Sequence, residues 1–581
     1  MSLARRSVHR ALWALSLAAL GAATGAAAQG RQGRPDRQPP VTFIDATAPS
    51  GLDFVHENGA TGDRLLPEIM GSGGALFDYD NDGDLDLYAV QGAALTLRAG
   101  SGTGSSPPTD RLYRNDPGPA GPRFTDVTDR SGIRSPGYGM GAATGDIDND
   151  GWIDLYVTNL GSNQMFRNNG DGSFSDVTAD TGTDDARWSA SATFLDYDLD
   201  GWLDLFVANY VDFSPDMTRE CFSRGSGADY CNPQVYEPVP DRLFRNNGNG
   251  TFSDVSVSAG ISQVFGRGLG VVAADLNGDG WTDLYVANDG DPNQLWISDR
   301  GARFRDDGWL AGVAVNRTGQ AEGSMGVDLA DVDGDGDEDL FVTNLDNESN
   351  TLYVNVGEGL FEDRTIAAGL LGPSFGLTGF GAGFVDYDQD GRPDLAIVNG
   401  AVRLLDHLVR QGDPYPLKQR NQLFRNTAGG RFVEVTDEAG SAFDAIEVSR
   451  GLALGDLDND GATDMVVFNN NGPARVLLNN ADTRNHWLGV RVLDGGRDAL
   501  HARVELVGSD GTTRWQRVHT DGSYCVANDP RVRFGLGTND QPQTIRVHLP
   551  GGRVAVYPNL AVDRYWVLAS GTASEAPGLE R

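Results

Sequence analysis

DYDNDGDLD, residues 78–86, is the first of seven copies of one pattern, D-x-[DN]-x-D-G-x-x-D. The others are DIDNDGWID from Asp146, DYDLDGWLD from Asp196, DLNGDGWTD from Asp275, DVDGDGDED from Asp331, DYDQDGRPD from Asp386 and DLDNDGATD from Asp456. One Asp-Gly-rich segment reads as an ordinary hairpin turn, but seven matching copies mark an internal repeat.

Each loop places oxygen-bearing side chains at positions 1, 3, 5 and 9. They are Asp78, Asp80, Asp82 and Asp86 in loop 1; Asp146, Asp148, Asp150 and Asp154 in loop 2; and Asp196, Asp198, Asp200 and Asp204 in loop 3. Loop 4 has Asp275, Asn277, Asp279 and Asp283, and loop 5 has Asp331, Asp333, Asp335 and Asp339. Loop 6 has Asp386, Asp388, Asp390 and Asp394, and loop 7 has Asp456, Asp458, Asp460 and Asp464. The Gly at position 6 lets the backbone turn sharply enough for these oxygens to converge. Hard oxygens without His or Cys select Ca²⁺, up to seven ions, over the smaller and stricter Mg²⁺. Position 7 varies freely, which is expected if only its carbonyl is used. An EF-hand would demand Glu at position 12, where Ala89, Val157, Val207, Val286, Val342, Ile397 and Val467 stand.

The loops run instead into β patterns such as DLYVTN (154–159) and DLFVAN (204–209). A small-residue strand precedes each loop, as in GMGAATGD (139–146). Pairs such as NQMFRNN (163–169) and FSDVT (174–178) add two more strands. Four strands repeated seven times predict an all-β fold, a seven-bladed β-propeller over 41–480. The phenylalanine-led outer strand also occurs seven times, but its first copy, FIDAT (43–47), precedes the first loop. The expected partner of strand 41–47 is therefore ARVLLNN (474–480), which closes the ring. Residues 481–571 are expected to form a small β-sandwich or barrel, and 572–581 a loose tail.

These loops and strands resemble the FG-GAP/VCBS repeats of integrin-type propellers, and LPEIMGSGGALFDYDNDGDLDLY (66–88) is similar to the cartilage acidic protein group. NHWLGVRV (485–492), SYCVANDPRVRFGLG (523–537) and TIRVHLP (544–550) resemble the ASPIC/UnbV domain that follows such propellers. The resemblance covers about 41–570. It implies an exported calcium-binding β-protein in which the loop residues at positions 1, 3, 5 and 9 are the ligands, Asn277 keeping an oxygen but losing a charge.

Composition narrows the partners. The 581 residues carry a formal charge of -36, which disfavours nucleic acid or an anionic membrane as a partner. The single lysine, Lys418, leaves little room for Schiff-base or Walker-type chemistry. Residues 1–28 read as a secretory signal, with Arg5, Arg6 and Arg10 before a short apolar run and Ala26-Ala27-Ala28 at its end; 29–40 read as a linker. No segment reads as a transmembrane span, so a periplasmic or extracellular address is expected. In that setting Cys221 and Cys231 are expected to form a disulfide, worth about 2.8 kcal/mol on the chain-entropy model, with Cys525 left as a buried thiol.

Aligning the repeats puts Glu68, Tyr138, Trp188, Arg267, Glu322 and Arg450 just before the innermost strands, where they are expected to ring one mouth of the central channel. Such a mouth suits a glycan or peptide. Two functions remain open on the sequence. One is a calcium-stabilised binding module for an extracellular protein or carbohydrate. The other is a calcium-dependent lyase or hydrolase using Glu68 or Glu322.

Overall fold

The computed structural model describes residues 42–576 except 61, 96–107, 215–216, 218, 224–226, 481–484, 509–510 and 570. The expected signal and linker, residues 1–40, lie outside the described residues.

Among the described residues, seven sheets built on four antiparallel strands follow one another along the chain, the first carrying Val526–Ala527 as a parallel fifth strand. In sheet 2, Tyr138–Gly145 pairs with Asp154–Leu160, then Gln164–Asn168, then Phe174–Asp176. The first strands of successive sheets touch one another in a closed circle, the seventh (Ser449–Gly455) against the first (Gly74–Phe77). Closure is by the N-terminus: Thr42–Asp45 pairs with Arg475–Asn480, Thr42 opposite Asn480 and Asp45 opposite Leu477.

The apolar core lies between neighbouring sheets, because alternate residues of each strand point to opposite faces and both faces are covered. Phe77 and Tyr88 of sheet 1 pack against Ala142 and Leu155 of sheet 2. Phe206 and Leu243 of sheet 3 pack against Val271 and Leu284 of sheet 4. Each outer strand of sheets 1 to 5 leads into a one-turn helix, such as Thr128–Ser131, closed by a left-handed glycine such as Gly132.

The C-terminal region forms two further sheets. One contains Arg497–Asp498, His486–Asp494, Tyr565–Ala569 and Thr572–Glu575, with Val532–Gly537 also pairing to His486–Asp494. The other runs Thr513–Arg517, Arg503–Val507, Gln543–His548, Val554–Leu560. Leu488, Val490, Val504, Ile545 and Leu568 fill the space between them, a sandwich whose core continues into Phe194 and Leu203 of sheet 3. The expected loose tail begins too early: Thr572–Glu575 is a strand held to Tyr565–Ala569 by backbone pairing, so the domain extends past 571.

Between the two sheets the chain leaves the sandwich and enters the ring. Val526–Ala527 lies parallel to Gly74–Ala75, Ser523 bridges Val327, and Cys525 accepts a hydrogen bond from Gly74 N–H. Asp521 accepts from Ala273 N–H, Asn528 from Leu454 N–H, and Ser191 Oγ from Cys525 N–H. The small residues of the inner strands make this possible. A Cβ on Gly73 would lie 1.9 Å from the Cys525 carbonyl, and one on Gly141 2.8 Å from the Cys525 side chain. Residues 518–529 therefore form a plug in the channel.

Candidate metal centres

In every loop the position-1 carboxylate is the hub of the turn. In loop 2, Asp146 Oδ1 accepts from Asp150 N–H at 3.1 Å and Oδ2 from Gly151 N–H at 2.8 Å, while Asp150 caps Trp152 N–H. Position 9 joins the loop to its sheet: Asp154 Oδ2 accepts from Ile147 N–H and Oδ1 from Asn168 N–H, at 2.8 and 2.7 Å. Loop 4 and loop 7 have the same frame, around Asp275 and Asp283 and around Asp456 and Asp464. Position 4 is left-handed in each loop, as at Asn81 (φ 57°), Leu199 (57°), Gly278 (75°) and Gln389 (55°). That explains why Asn or Gly fills most position-4 sites.

The frame brings three carboxylates together. Oxygens of Asp78, Asp80 and Asp86 lie within 4.8 Å of one another, as do those of Asp146/Asp148/Asp154, Asp196/Asp198/Asp204, Asp331/Asp333/Asp339 and Asp386/Asp388/Asp394. Asp82, Asp150 and their equivalents at position 5 fold back onto the loop's own N–H groups. Several oxygens in these clusters are buried without any donor: Oδ1 of Asp80, Asp148 and Asp386, and Oδ2 of Asp394. Burial, with the neighbouring carboxylates adding to it, raises the position-9 carboxyls to about 8 at Asp204, Asp283 and Asp339. Asp86 and Asp154 are pushed well above the usual carboxylate range for the same reason. Orphaned hard oxygens that resist ionising alone fit a divalent cation, which satisfies their lone pairs and their charge at once.

Compensating charge is uneven. Arg245 reaches Asp198 and Asp200 at 2.6 Å, so loop 3 has a cation of its own that must swing aside for a metal. Position 7 also does more than offer a carbonyl: the rings of Trp152, Trp202 and Trp281 fill the space beside Gly170, Gly248 and Gly301.

The asparagine at the end of each third strand was not foreseen. Asn168 Nδ2 donates to Tyr79 O of the preceding sheet's loop at 2.8 Å and to Ile153 O of its own at 3.2 Å. Asn115, Asn246, Asn355, Asn426 and Asn479 make the same bridge to Leu457, Ile147, Leu276, Val332 and Tyr387. Sheet 4 has Ser298 there. These staples tie neighbouring loops together, and an asparagine closing the third strand, preceded by Arg in four of the six, was their sequence signal.

The C-terminal sandwich rests on the loop face. Tyr565 O–H donates to Asp456 Oδ2 at 2.7 Å, Gly535 N–H donates to Asp386 Oδ2 at 3.2 Å, and Arg491 lies 3.6 Å from Asp78.

The six residues expected at an open mouth are all buried. Tyr138 donates to Asn58 O and Pro67 O, and Trp188 packs edge-on against Tyr210 and Phe213. Arg267 pairs with Asp291, and Arg450 lies 3.8 Å over the Phe380 ring while donating to Ile69 O. Glu68 accepts from Tyr230, and Glu322 from Asn316, Asn344 and Thr351. Burial raises Glu322 to about 7. The correction has a physical cause: the insertion between the second and third strands of sheet 3 supplies Tyr210 and Tyr230, the one in sheet 6 supplies Leu417, and both cover this end. Cys221 and Cys231, in the first of those insertions, are joined as a disulfide.

Closed antiparallel sheets with an acidic loop at each define the class. The FG-GAP-like repeat family matches residues 78–157, 146–207, 212–286, 275–342 and 331–397, and the chain belongs to it. The ASPIC and UnbV family matches residues 493–575. Among curated proteins the chain is similar to cartilage acidic protein 1 of Mus musculus, 26% identical over 378 residues, which are 54% of this chain and 57% of that protein. The Homo sapiens protein of the same name is 25% identical over 378 residues, 54% of this chain and 55% of its own. The chain thus matches little more than half the length of these relatives. Among solved structures, the BP39L lectin from Burkholderia pseudomallei is 11% identical with a TM-score of 0.40, covering 71% of this chain and 97% of that one. A lectin of Agrocybe aegerita that recognises non-reducing terminal N-acetylglucosamine is 15% identical with a TM-score of 0.36, covering 70% and 92%. At those TM-scores the likeness carries no argument about a ligand.

Proposed function

We propose that this protein is an exported binding module, a calcium-stabilised propeller that presents a ligand site on a rigid ring. The observation that carries the reading is the convergence of buried, donor-free carboxylate oxygens in the repeated loops. Calcium's role in it is structural. With free calcium about tenfold above each dissociation constant, each site adds roughly 1.4 kcal/mol, and seven independent sites about 10, as much as the whole stability of many domains. The leader-like N-terminus and the disulfide support export, and no helix among the described residues is long and apolar enough to cross a membrane. The ligand class is an extracellular protein or carbohydrate, for which nucleic acid is a poor competitor at a charge of -36. Melting in excess calcium and in excess EGTA tests the reading: a fall of many degrees on chelation is expected, and superimposable curves would refute it.

A further inference from the structure

The seven loops share one frame but not one environment, because the C-terminal sandwich is seated unevenly on the ring. Loops 6 and 7 lie closest beneath it. In loop 7, Tyr565 holds the hub Asp456, and Trp487 lies so near Gly461 that a Cβ there would come within 1.9 Å of its ring. In loop 6, Gly535 N–H donates to Asp386, Gly537 N–H to Gln389 O, and Asn485 Nδ2 to Asp388 O at 2.8 Å. Loop 1 meets Arg491 at Asp78, and loop 2 faces the Gly496 carbonyl at Gly151. Loop 3 receives Arg497 on Gly201 O at 3.3 Å, and loop 5 receives Arg503 on Gly336 O at 3.1 Å. Among the described residues, no hydrogen bond or ion pair joins loop 4 to the sandwich.

Burial of the hub follows the same division. The position-1 carboxylate is buried in loops 1, 2 and 7, half-buried in loops 3, 5 and 6, and exposed only at Asp275 of loop 4. Loop 4 is also detached from its neighbours. A position-4 amide reaches the next loop's position-6 carbonyl from Asn81 to Gly151, Asn149 to Gly201, Gln389 to Gly461 and Asn459 to Gly83. Leu199 of loop 3 and Gly278 of loop 4 have no side-chain amide, so loop 4 neither receives nor gives that bridge. Asn277 takes one charge from its oxygen set. Ligand charge and site rigidity tune calcium affinity, and both are reduced here. Loop 5 gives and receives no such bridge either, but it keeps all four carboxylates, and its cover includes the Arg517–Glu338 pair as well as Arg503.

We infer that the C-terminal sandwich is a lid on the calcium ring that sorts its sites into two classes: six ions retained beneath it and one, in loop 4, exchanging with the medium. This lid role rests on the calcium reading above. Release of an ion requires water to enter among its ligands, and a hub carboxylate held under Tyr565 or Arg497 admits water only when sandwich and ring part locally. Their parting is opposed by residues 518–529, which are bonded into the inner strands of the ring. Loop 4 needs no such opening. The scaffold therefore stays filled while one site, 275–283, follows ambient calcium.

Rapid mixing of the calcium-loaded full chain with the chromophoric chelator quin-2 counts the ions released and times them. One ion is expected in a fast phase and the others at least about tenfold slower, a ratio that a modest local-opening free energy supplies. Asp279→Asn keeps the acceptor that caps Trp281 N–H but strips loop 4 of a second charge, and it should abolish the fast phase while leaving the slow ions in place. Arg497→Ala uncovers loop 3 and should move a second ion into the fast phase, in protein that still melts cooperatively. Release in a single phase, a fast ion that survives Asp279→Asn, or an unchanged fast count in Arg497→Ala would overturn the lid and leave the calcium scaffold standing. Folded protein that yields no calcium at all would instead overturn the scaffold reading.

Discussion

Replacing Asn168 with Ala removes one staple between two acidic loops and leaves the loops' carboxylates intact. Three hydrogen bonds go: two donated, to Tyr79 O at 2.8 Å and Ile153 O at 3.2 Å, and one accepted from Gly170 N–H at 3.0 Å. Asn168 is only 1% exposed, so water does not readily replace them. At about 1 kcal/mol for each neutral bond, the expected loss is roughly 3 kcal/mol, more if the stranded carbonyls stay dry. For a cooperative chain of this length, with a melting entropy of about 2.1 cal/mol/K per residue, that is a fall of about 2.5 °C. The assay is urea and thermal unfolding in saturating calcium, with Asn169→Ala, its exposed neighbour, as the control. Ser298, which occupies the equivalent site in sheet 4, provides a second check: Ser298→Asn should cost nothing and can gain a bond to the Tyr197 carbonyl. A loss in Asn168→Ala no larger than that in Asn169→Ala would refute the staple.

His56 sets an acid limit. It is 1% exposed, accepts from Asn471 N–H at Nδ1, and burial lowers its pKa to about 3, with Arg450 adding to the effect. The unfolded chain takes up a proton near pH 6.5 that the folded chain refuses, so stability falls as pH drops below 6.5, by roughly 3 kcal/mol at pH 4 from this group. Melting of calcium-saturated wild type and His56→Gln between pH 4 and 7 should show a shallower slope in the variant; parallel curves would contradict this. Cys525 reports on the plug: burial pushes its thiol up to about 12. A thiol reagent at pH 8 is expected to leave it unmodified in calcium and to label it after chelation, and equal rates would show that the plug does not depend on the loops.

Much of the ring was legible because its information is local. A nine-residue loop with Gly at position 6 forms its own turn, and the outer strand displaced to the N-terminus, FIDAT (43–47), announced its pairing with 474–480. Position 4 was readable but unread: Asn81, Asn149 and Asn459 are there because the backbone is left-handed. The mouth was read as open because the chain that covers it lies elsewhere in the sequence. Nothing local to Trp188 or Arg450 says that Tyr210, Leu417 and Tyr524 will cover them. The plug was hidden for the same reason. The glycines of the inner strands indicated that something approaches closely, but not that Cys525, hundreds of residues away, supplies it.

The most direct test of the central idea, that these clustered carboxylates exist to hold metal, is the calcium content of natively purified, folded protein after passage through a chelating resin. This account predicts several calcium ions per chain, up to seven, retained until the protein unfolds. Folded protein with its full melting temperature and no bound divalent ion would contradict it.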